Sequence, residues 1–193
     1  MATRNQVNTG LNGSTGSDSF VGSNSGVIAS PILGAASATS ISFSSTSGVI
    51  GTSTNDDAVV GSVGQYASSI IASPGSSITT NTNTNITSIS LTAGDWDVWG
   101  SVGFTGNPAT KITFIAGWVS STSATRPDPS LYSSFAFASA MNVIPYAQGA
   151  INIKVPKRRF SLASTTTVYV TAFTLFTIST TTAYGAIYAR RVR

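Results

Sequence analysis

Apolar and polar residues alternate with a period of two along most of the chain after residue 60, as expected for β-strands with one buried face. Two runs place their apolar side chains on one face most clearly: Ile112, Phe114, Ala116 and Trp118, and Trp96, Val98, Val102 and Phe104. No long stretch combines the 3.6-residue spacing of an amphipathic helix with helix-favouring residues. The pattern therefore predicts an all-β protein.

Strands are predicted where β-branched and aromatic residues cluster between Gly, Pro and Asn turns. They cover residues 63–71, 88–92, 96–104, 112–118, 131–138, 149–155, 168–176 and 183–189. Turns are predicted at Pro74-Gly75 and Ala93-Gly94, and the longest loop at 120–130. About eight strands at this spacing predict a β-sandwich or a jelly roll, and the spacing does not distinguish the two.

The first 60 residues differ from the rest, being rich in Gly, Ser, Asn and Thr with only scattered apolar residues. Alone they bury too little surface to offset an ordering cost of roughly 1–2 kcal/mol per residue. Ser30-Pro31 begins an extended stretch that ends at Gly34, and Ile41 and Phe43 alternate with serines. We therefore expect an extended arm over 1–60, ordered by partners or by other copies of the chain, and a β domain over 61–193.

Composition limits the chemistry available to this chain. Ser (32) and Thr (27) make up about 30% of the 193 residues, 8% are charged, and Glu, His and Cys are absent. This excludes Ser-His-Asp and Cys-His triads, Cys/His zinc sites and disulfides. There is no stretch long and apolar enough to span a bilayer, and Met1–Asn12 lacks the apolar core of a secretory signal. We expect neither an enzyme, nor a cofactor or metal site, nor membrane insertion.

The segment from Leu11 to Gly51 resembles the short repeats of bacteriophage tail-fibre and related virion fibre proteins. The matching residues are Gly16, Phe20-Val21, Ser30-Pro31, Leu33-Gly34 and Ala38-Thr39-Ser40. Residues 88–104, 164–170 and 182–193 resemble a C-terminal β domain often attached to such fibres. The matching segments are distributed from residue 11 to residue 193.

The resemblance implies a phage structural protein, usually a homotrimer, that docks on the virion through its N-terminal part and projects its β domain outward. The docking residues would be Phe20, Val21, Pro31, Ile32 and Leu33. Because the chain has about one repeat and one domain, we expect a short tail fibre or fibre adaptor for host attachment, with the tail preferred to the head. The alternatives are a head decoration or head-fibre protein and a lectin-like carbohydrate-binding module.

Two groups of acidic residues are considered as a catalytic pair and as a Ca²⁺ site. Asp95 and Asp97 flank Trp96, and alternation places both carboxylates on one strand face, roughly 7 Å apart. A glycosidase would need such a pair, but the favoured interpretation is that both point to solvent while Trp96 points to the core.

Asn55, Asp56 and Asp57 offer oxygen ligands for Ca²⁺, yet too few for its 6 to 8 positions, so a turn is favoured.

The basic residues form two clusters in a chain of net charge +4. One contains Lys154, Lys157, Arg158 and Arg159, and the other Arg190, Arg191 and Arg193. Phosphate-rich partners must be considered, but no nucleic-acid-binding motif accompanies the charge, and we expect no nucleic-acid partner. Two interpretations remain open: solvated strand ends, or contacts of Arg158, Arg159, Arg190, Arg191 and Arg193 with a neighbouring subunit.

Several aromatic residues suit stacking against the apolar faces of sugars. Trp118 shares its predicted face with Ile112 and Phe114 and is assigned to the core. Trp99 lies opposite Trp96 and Val98 by parity, so it should face outward or lie at a subunit interface. Trp99, Tyr132 and Asp97 are therefore the candidate residues for contact with a host surface polysaccharide.

Overall fold

The structure, a computed structural model, describes residues 53–54, 56–142 and 150–193. The compact unit that contains all of these residues except Ser53 runs from Thr54 to Arg193. Most of the predicted N-terminal arm, including the docking residues Phe20, Val21, Pro31, Ile32 and Leu33, lies outside the described residues, as does Asn55. The boundary between residues 60 and 61 stays a prediction.

Eight antiparallel strands form the described domain. They are β1 (Tyr66–Ile78), β2 (Thr84–Leu91), β3 (Gly94–Gly106), β4 (Lys111–Ser120), β5 (Ser133–Asn142), β6 (Ile151–Leu162), β7 (Thr166–Thr177) and β8 (Thr181–Arg191). A single 3₁₀ turn, Pro129–Leu131, interrupts the loop between β4 and β5. No helix in the described ranges has the length and apolar character needed to cross a bilayer. The all-β prediction is confirmed.

The strands form two four-stranded sheets, ordered β1-β8-β3-β6 and β2-β7-β4-β5. The pairs β1–β8, β2–β7, β3–β6 and β4–β5 are nested, so β1–β4 run against β8–β5 like one long hairpin folded over on itself. This order is that of an eight-stranded jelly roll. Of the two architectures that the sequence left open, the strand order therefore selects the jelly roll.

The main core lies between the sheets, and β3 contributes to it as predicted. Its inward residues Trp96, Val98, Val102 and Phe104 are all at most 1% exposed. The Trp96 indole N–H donates to the carbonyl oxygen of Thr92 at 2.9 Å, so burial leaves no orphaned donor on this ring. The prediction that Trp96 points to the core is confirmed.

Strand β4 departs from the predicted alternation. A register shift between Ile112 and Phe114 against both neighbouring strands places these two residues in different apolar clusters. Ile112 joins the main core, whereas Phe114 and Trp118 pack with Phe173 in a second cluster. Trp118 is fully buried, but the prediction that it shares a face with Ile112 is wrong, because one bulge reverses the side-chain parity that follows it.

Pro74-Gly75 is the second departure, because it lies inside β1 instead of ending it. The register of β1 against β8 shifts between Ile71 and Ser76, and the strand then continues to Ile78. Gly75 has φ +74°, and a Cβ there would lie 2.0 Å from the carbonyl oxygen of Ala183. Two turn-forming residues thus make a β-bulge, which local sequence does not distinguish from a turn.

Candidate ligand-binding cleft on the outer sheet

Three aromatic rings lie side by side on the outer face of the β1-β8-β3-β6 sheet. Trp99 of β3 stacks on Tyr188 of β8, its register partner, with ring centroids 5.9 Å apart at 29°. Tyr66 of β1 stacks on Tyr188 at 6.3 Å and 25°. Partial desolvation, followed by the charge interaction with Tyr188, raises the pKa of Tyr66. Trp99 therefore faces outward, as parity predicted.

A cleft of about 520 Å³ opens beside Trp99. Its lining comes from β3, β6 and β8 and consists of Asp97, Trp99, Lys154, Val155, Pro156, Lys157 and Arg190. In the β3–β6 ladder, Val98 pairs with Arg158 and Gly100 with Val155, so Pro156 and Lys157 together oppose Trp99. Such a bulge redirects side chains, and Pro156 is tolerated because β6 is one of the two edge strands of this sheet.

The charges in the cleft do not balance. Lys157 Nζ lies 2.8 Å from Asp97 Oδ2, which pairs one cation with the only carboxylate in the lining. Within the described part of the chain, neither Lys154 nor Arg190 has an ion-pair partner. The cleft thus combines an aromatic side wall with two cations available to an anion.

Asp95 lies next to this cleft in the sheet but has a structural environment. Its side chain is 4% exposed, and its Oδ2 is 2.8 Å from both Arg159 Nη2 and Arg193 Nη2. A hydrogen bond from Ser161, followed by the interaction with Arg159, lowers the pKa of this carboxyl. The expectation that Asp95 points to solvent is wrong, and a carboxyl with a lowered pKa does not fit the general acid of a glycosidase.

The basic residues are distributed differently from the predicted strand ends. Lys157, Arg158 and Arg159 lie within β6, which continues to Leu162, beyond the predicted end at 155. The guanidinium of Arg158 lies 5.0 Å from the ring centre of Phe160. Arg159 and Arg193 are paired with Asp95. Of the five arginines predicted to contact a neighbouring subunit, Arg190 lines the cleft.

Arg191 is buried within its own chain. It donates to Gln65 Oε1, to the carbonyl oxygen of Ala93 and to Thr92 Oγ1, and its guanidinium lies 4.5 Å from the ring centre of Trp96. Only 6% of the residue is exposed. Arg191 therefore fastens the last strand to the start of the domain and is not part of a surface that a neighbouring subunit would contact.

Tyr132, the third predicted glycan residue, is not in the cleft. It packs 5.8 Å from Trp118 in the second apolar cluster, on the other sheet. Arg126, which sequence reasoning did not single out, lies 3.9 Å from the ring centre of Phe173. Its Nε and Nη2 are buried without a hydrogen-bond partner among the described residues. The structure thus brings Asp97 and Trp99 together and separates Tyr132 from them.

Beside the predicted acidic step, Thr54 Oγ1 donates a hydrogen bond to Asp56 Oδ1 at 2.8 Å. In the ranges that the structure describes, no three Asp, Glu, His or Cys side chains come together as a metal site would require.

These features define a class: a jelly-roll domain with an aromatic, positively charged cleft on the outer face of one sheet. No protein-family model matches the sequence, and neither does any curated protein. Among solved structures, the domain is similar to the VP2 subviral particle of infectious bursal disease virus, at 10% identity and a TM-score of 0.38, over 66% of this chain and 32% of that one. It is also similar to T=1 particles derived from the virus, at 11% identity and a TM-score of 0.33, over 67% of this chain and 29% of that one. For the Gx strain of the virus the identity is 11% and the TM-score 0.30, over 66% of this chain and 29% of that one. The chain thus spans about a third of their length, and the fold assignment rests on the strand order alone.

Proposed function

We propose that the protein is a virion structural protein, a short homotrimeric tail fibre or fibre adaptor of a bacteriophage that takes part in host attachment. The fibre-like residues between Leu11 and Gly51 motivate the virion assignment. The jelly roll supplies a compact, disulfide-free domain for display on a particle. The observation that carries the assembly part of the proposal is that the two edge strands on one side of the sandwich, both fully described, contain no charged residue.

That side is formed by the edge strands β1 and β2. They are joined by a hydrogen bond of 2.6 Å between Ser69 Oγ and Thr87 Oγ1. Neither strand contains a charged residue, and their exposed positions are mainly serines. Exposed edges are normally protected from pairing by charges, especially lysines. An edge without them fits permanent contact with identical copies, since hydroxyls carry no mutual charge repulsion.

Exposed apolar residues extend the same side. Val59, Val60 and Val63, which lead into β1, and Ile70 within it are each more than 60% exposed. The opposite edge, β6, carries Lys154, Lys157, Arg158 and Arg159 and is protected as a solvent-facing edge should be. The contrast supports an assembly in which β1 and β2 face the other subunits and β6 faces outward.

The position of the chain in purified particles tests the proposal. We expect quantitative mass spectrometry and electron microscopy to find a few trimers per particle at the tail. Deletion of residues 1–60 should leave the β domain folded, as judged by its thermal transition, while abolishing incorporation. Absence of the full chain from particles, or normal incorporation of the truncated chain, would contradict the proposal.

Two alternatives predict different outcomes of the same experiment. A head decoration or head-fibre protein would be found on the capsid. A lectin-like module, which the aromatic cleft beside Trp99 favours, would be absent from particles and would bind a saccharide as a monomer.

A further inference from the structure

We infer that the cleft beside Trp99 binds an acidic saccharide, with the ring of the sugar on Trp99 and its carboxylate or phosphate on Lys154 and Arg190. The inference rests on the proposed host attachment only for its biological role. The binding itself is a property of the described domain and is testable on the free protein.

The aromatic wall of the cleft is positioned before any ligand arrives. Trp99 is half-buried, stacked on Tyr188 and 6.5 Å from Tyr66, so its ring is held from the side of β8 and β1. The cleft lies on the side of β6, where Pro156 and Lys157 bulge away from the ladder. An ordered ring loses little conformational entropy on binding, which favours stacking of an apolar sugar face.

The unpaired cations specify the charge of the ligand. Asp97 already neutralises Lys157 at 2.8 Å, whereas Lys154 and Arg190 have no carboxylate partner in the described ranges. Arginine matches carboxylate and phosphate oxygens with two parallel N–H donors, and lysine adds a point charge. The second oxygen of Asp97 is suited to accept a hydrogen bond from a sugar hydroxyl.

Size and charge pattern favour a saccharide over a nucleic acid. A volume of about 520 Å³ lies within the roughly 300–1,000 Å³ range of small-ligand pockets. Nucleic acids need a continuous track of cations along the backbone, but here Asp97 lies within the lining. A second cavity, of about 290 Å³, has no charged group to select an anion; it is lined by Pro74, Thr105, Gly106, Asn107, Pro108, Thr180 and Thr182.

The test titrates the full chain with four probes while following tryptophan fluorescence and calorimetric heat. The probes are a trigalacturonate for carboxylate, mannose 6-phosphate for phosphate, maltotriose as the neutral sugar and a short single-stranded oligonucleotide. We expect binding of at least one acidic sugar, at least tenfold tighter than maltotriose. The double variant Lys154→Gln/Arg190→Gln should lose at least tenfold in affinity.

Matched controls separate the cleft from general charge and from misfolding. Lys111→Gln removes one cation from β4, on the other sheet, and should leave the affinity unchanged. Trp99→Phe retains an aromatic contact with Tyr188 and should weaken binding several-fold without a change in the unfolding midpoint.

The outcomes are distinct. Equal affinity for maltotriose and the acidic sugars, or no binding of any sugar, would overturn the inference. So would tighter binding of the oligonucleotide together with equal losses in the Lys111→Gln and cleft variants. Failure to find the chain in particles would leave sugar binding by the free protein intact, so this inference and the proposed function fail separately.

Discussion

Asp95 on β3 and Arg159 on β6 form an ion pair with 2.8 Å between the carboxylate Oδ2 and the guanidinium Nη2. Arg193, near the end of the chain, contacts the same oxygen. The side chain of Asp95 is almost fully buried, whereas Arg159 and Arg193 remain largely exposed. The buried carboxylate of Asp95 therefore joins β3 to β6 and to the residues that follow β8.

This pair predicts a loss of stability in acid. The folded state lowers the pKa of Asp95, so the stabilisation is present above the unfolded value of about 3.9 and is lost as the pH falls through the folded pKa. We expect the free energy of unfolding, measured by denaturant titration, to decrease at pH values below about 4.

Asp95→Asn is the matched variant for this pH effect. It should be less stable than the wild type at pH 6 and should lose less stability between pH 6 and pH 3. Asp128, whose pKa is lowered by hydrogen bonds from Ser130, leaves a residual dependence in both proteins. Identical pH profiles for the two proteins would contradict the assigned role of Asp95.

Gly75 should tolerate alanine poorly, because its position combines a positive φ with a backbone contact. A Cβ would lie 2.0 Å from the Ala183 carbonyl oxygen, a group that cannot move without disturbing β8. Gly61 has φ +91° and nothing within 4 Å of its Cβ position. We expect Gly61→Ala to cost about 1–2 kcal/mol from the left-handed backbone alone, and Gly75→Ala to cost clearly more in urea unfolding. Equal costs would show that the bulge relaxes freely.

Arg126 is expected to stabilise the domain through its stem and not through a hydrogen bond. Two of its guanidinium nitrogens are buried without an acceptor among the described residues, while the group covers Phe173 and Trp118. Arg126→Met retains most of the apolar stem and should change the free energy of unfolding by less than about 1 kcal/mol. Arg126→Ala should cost more, because the aromatic rings lose their cover. A loss of about 3 kcal/mol or more in Arg126→Met would indicate a paired guanidinium.

A charge introduced on the β1–β2 side should disrupt the proposed trimer. Ile70 is 63% exposed on β1, and Ile70→Lys places an ammonium where identical copies would meet. We expect native mass spectrometry to show conversion from trimer to monomer, with the monomer still folded as judged by circular dichroism. Asn152→Lys, exposed on the opposite edge strand β6, is the control and should remain trimeric. If both variants remained trimeric, the proposed interface on β1 and β2 would be wrong.

Local alternation predicted the strand class, the number of strands in the described domain and the buried face of β3. It succeeded there because Trp96, Val98, Val102 and Phe104 alternate across a strand whose inward face is not interrupted. It failed on β4, where a bulge after Ile112 reverses the faces. It also failed at Pro74-Gly75, where a bulge uses the same residues as a turn.

Residue alternation and composition are sufficient to predict that the described domain is built of β-strands, that His- and Cys-based chemistry is excluded, and that Trp99 faces away from Trp96. These properties depend on residue type and on near neighbours along the chain. Contacts between strands, and not the local pattern, produce the jelly-roll order, the burial of Asp95 and Arg191, and the cleft that Trp99 shares with Lys154 and Arg190. Those contacts join β3 to β6 and β8, strands brought together by long-range hydrogen-bond register, which a period of two along one strand does not encode.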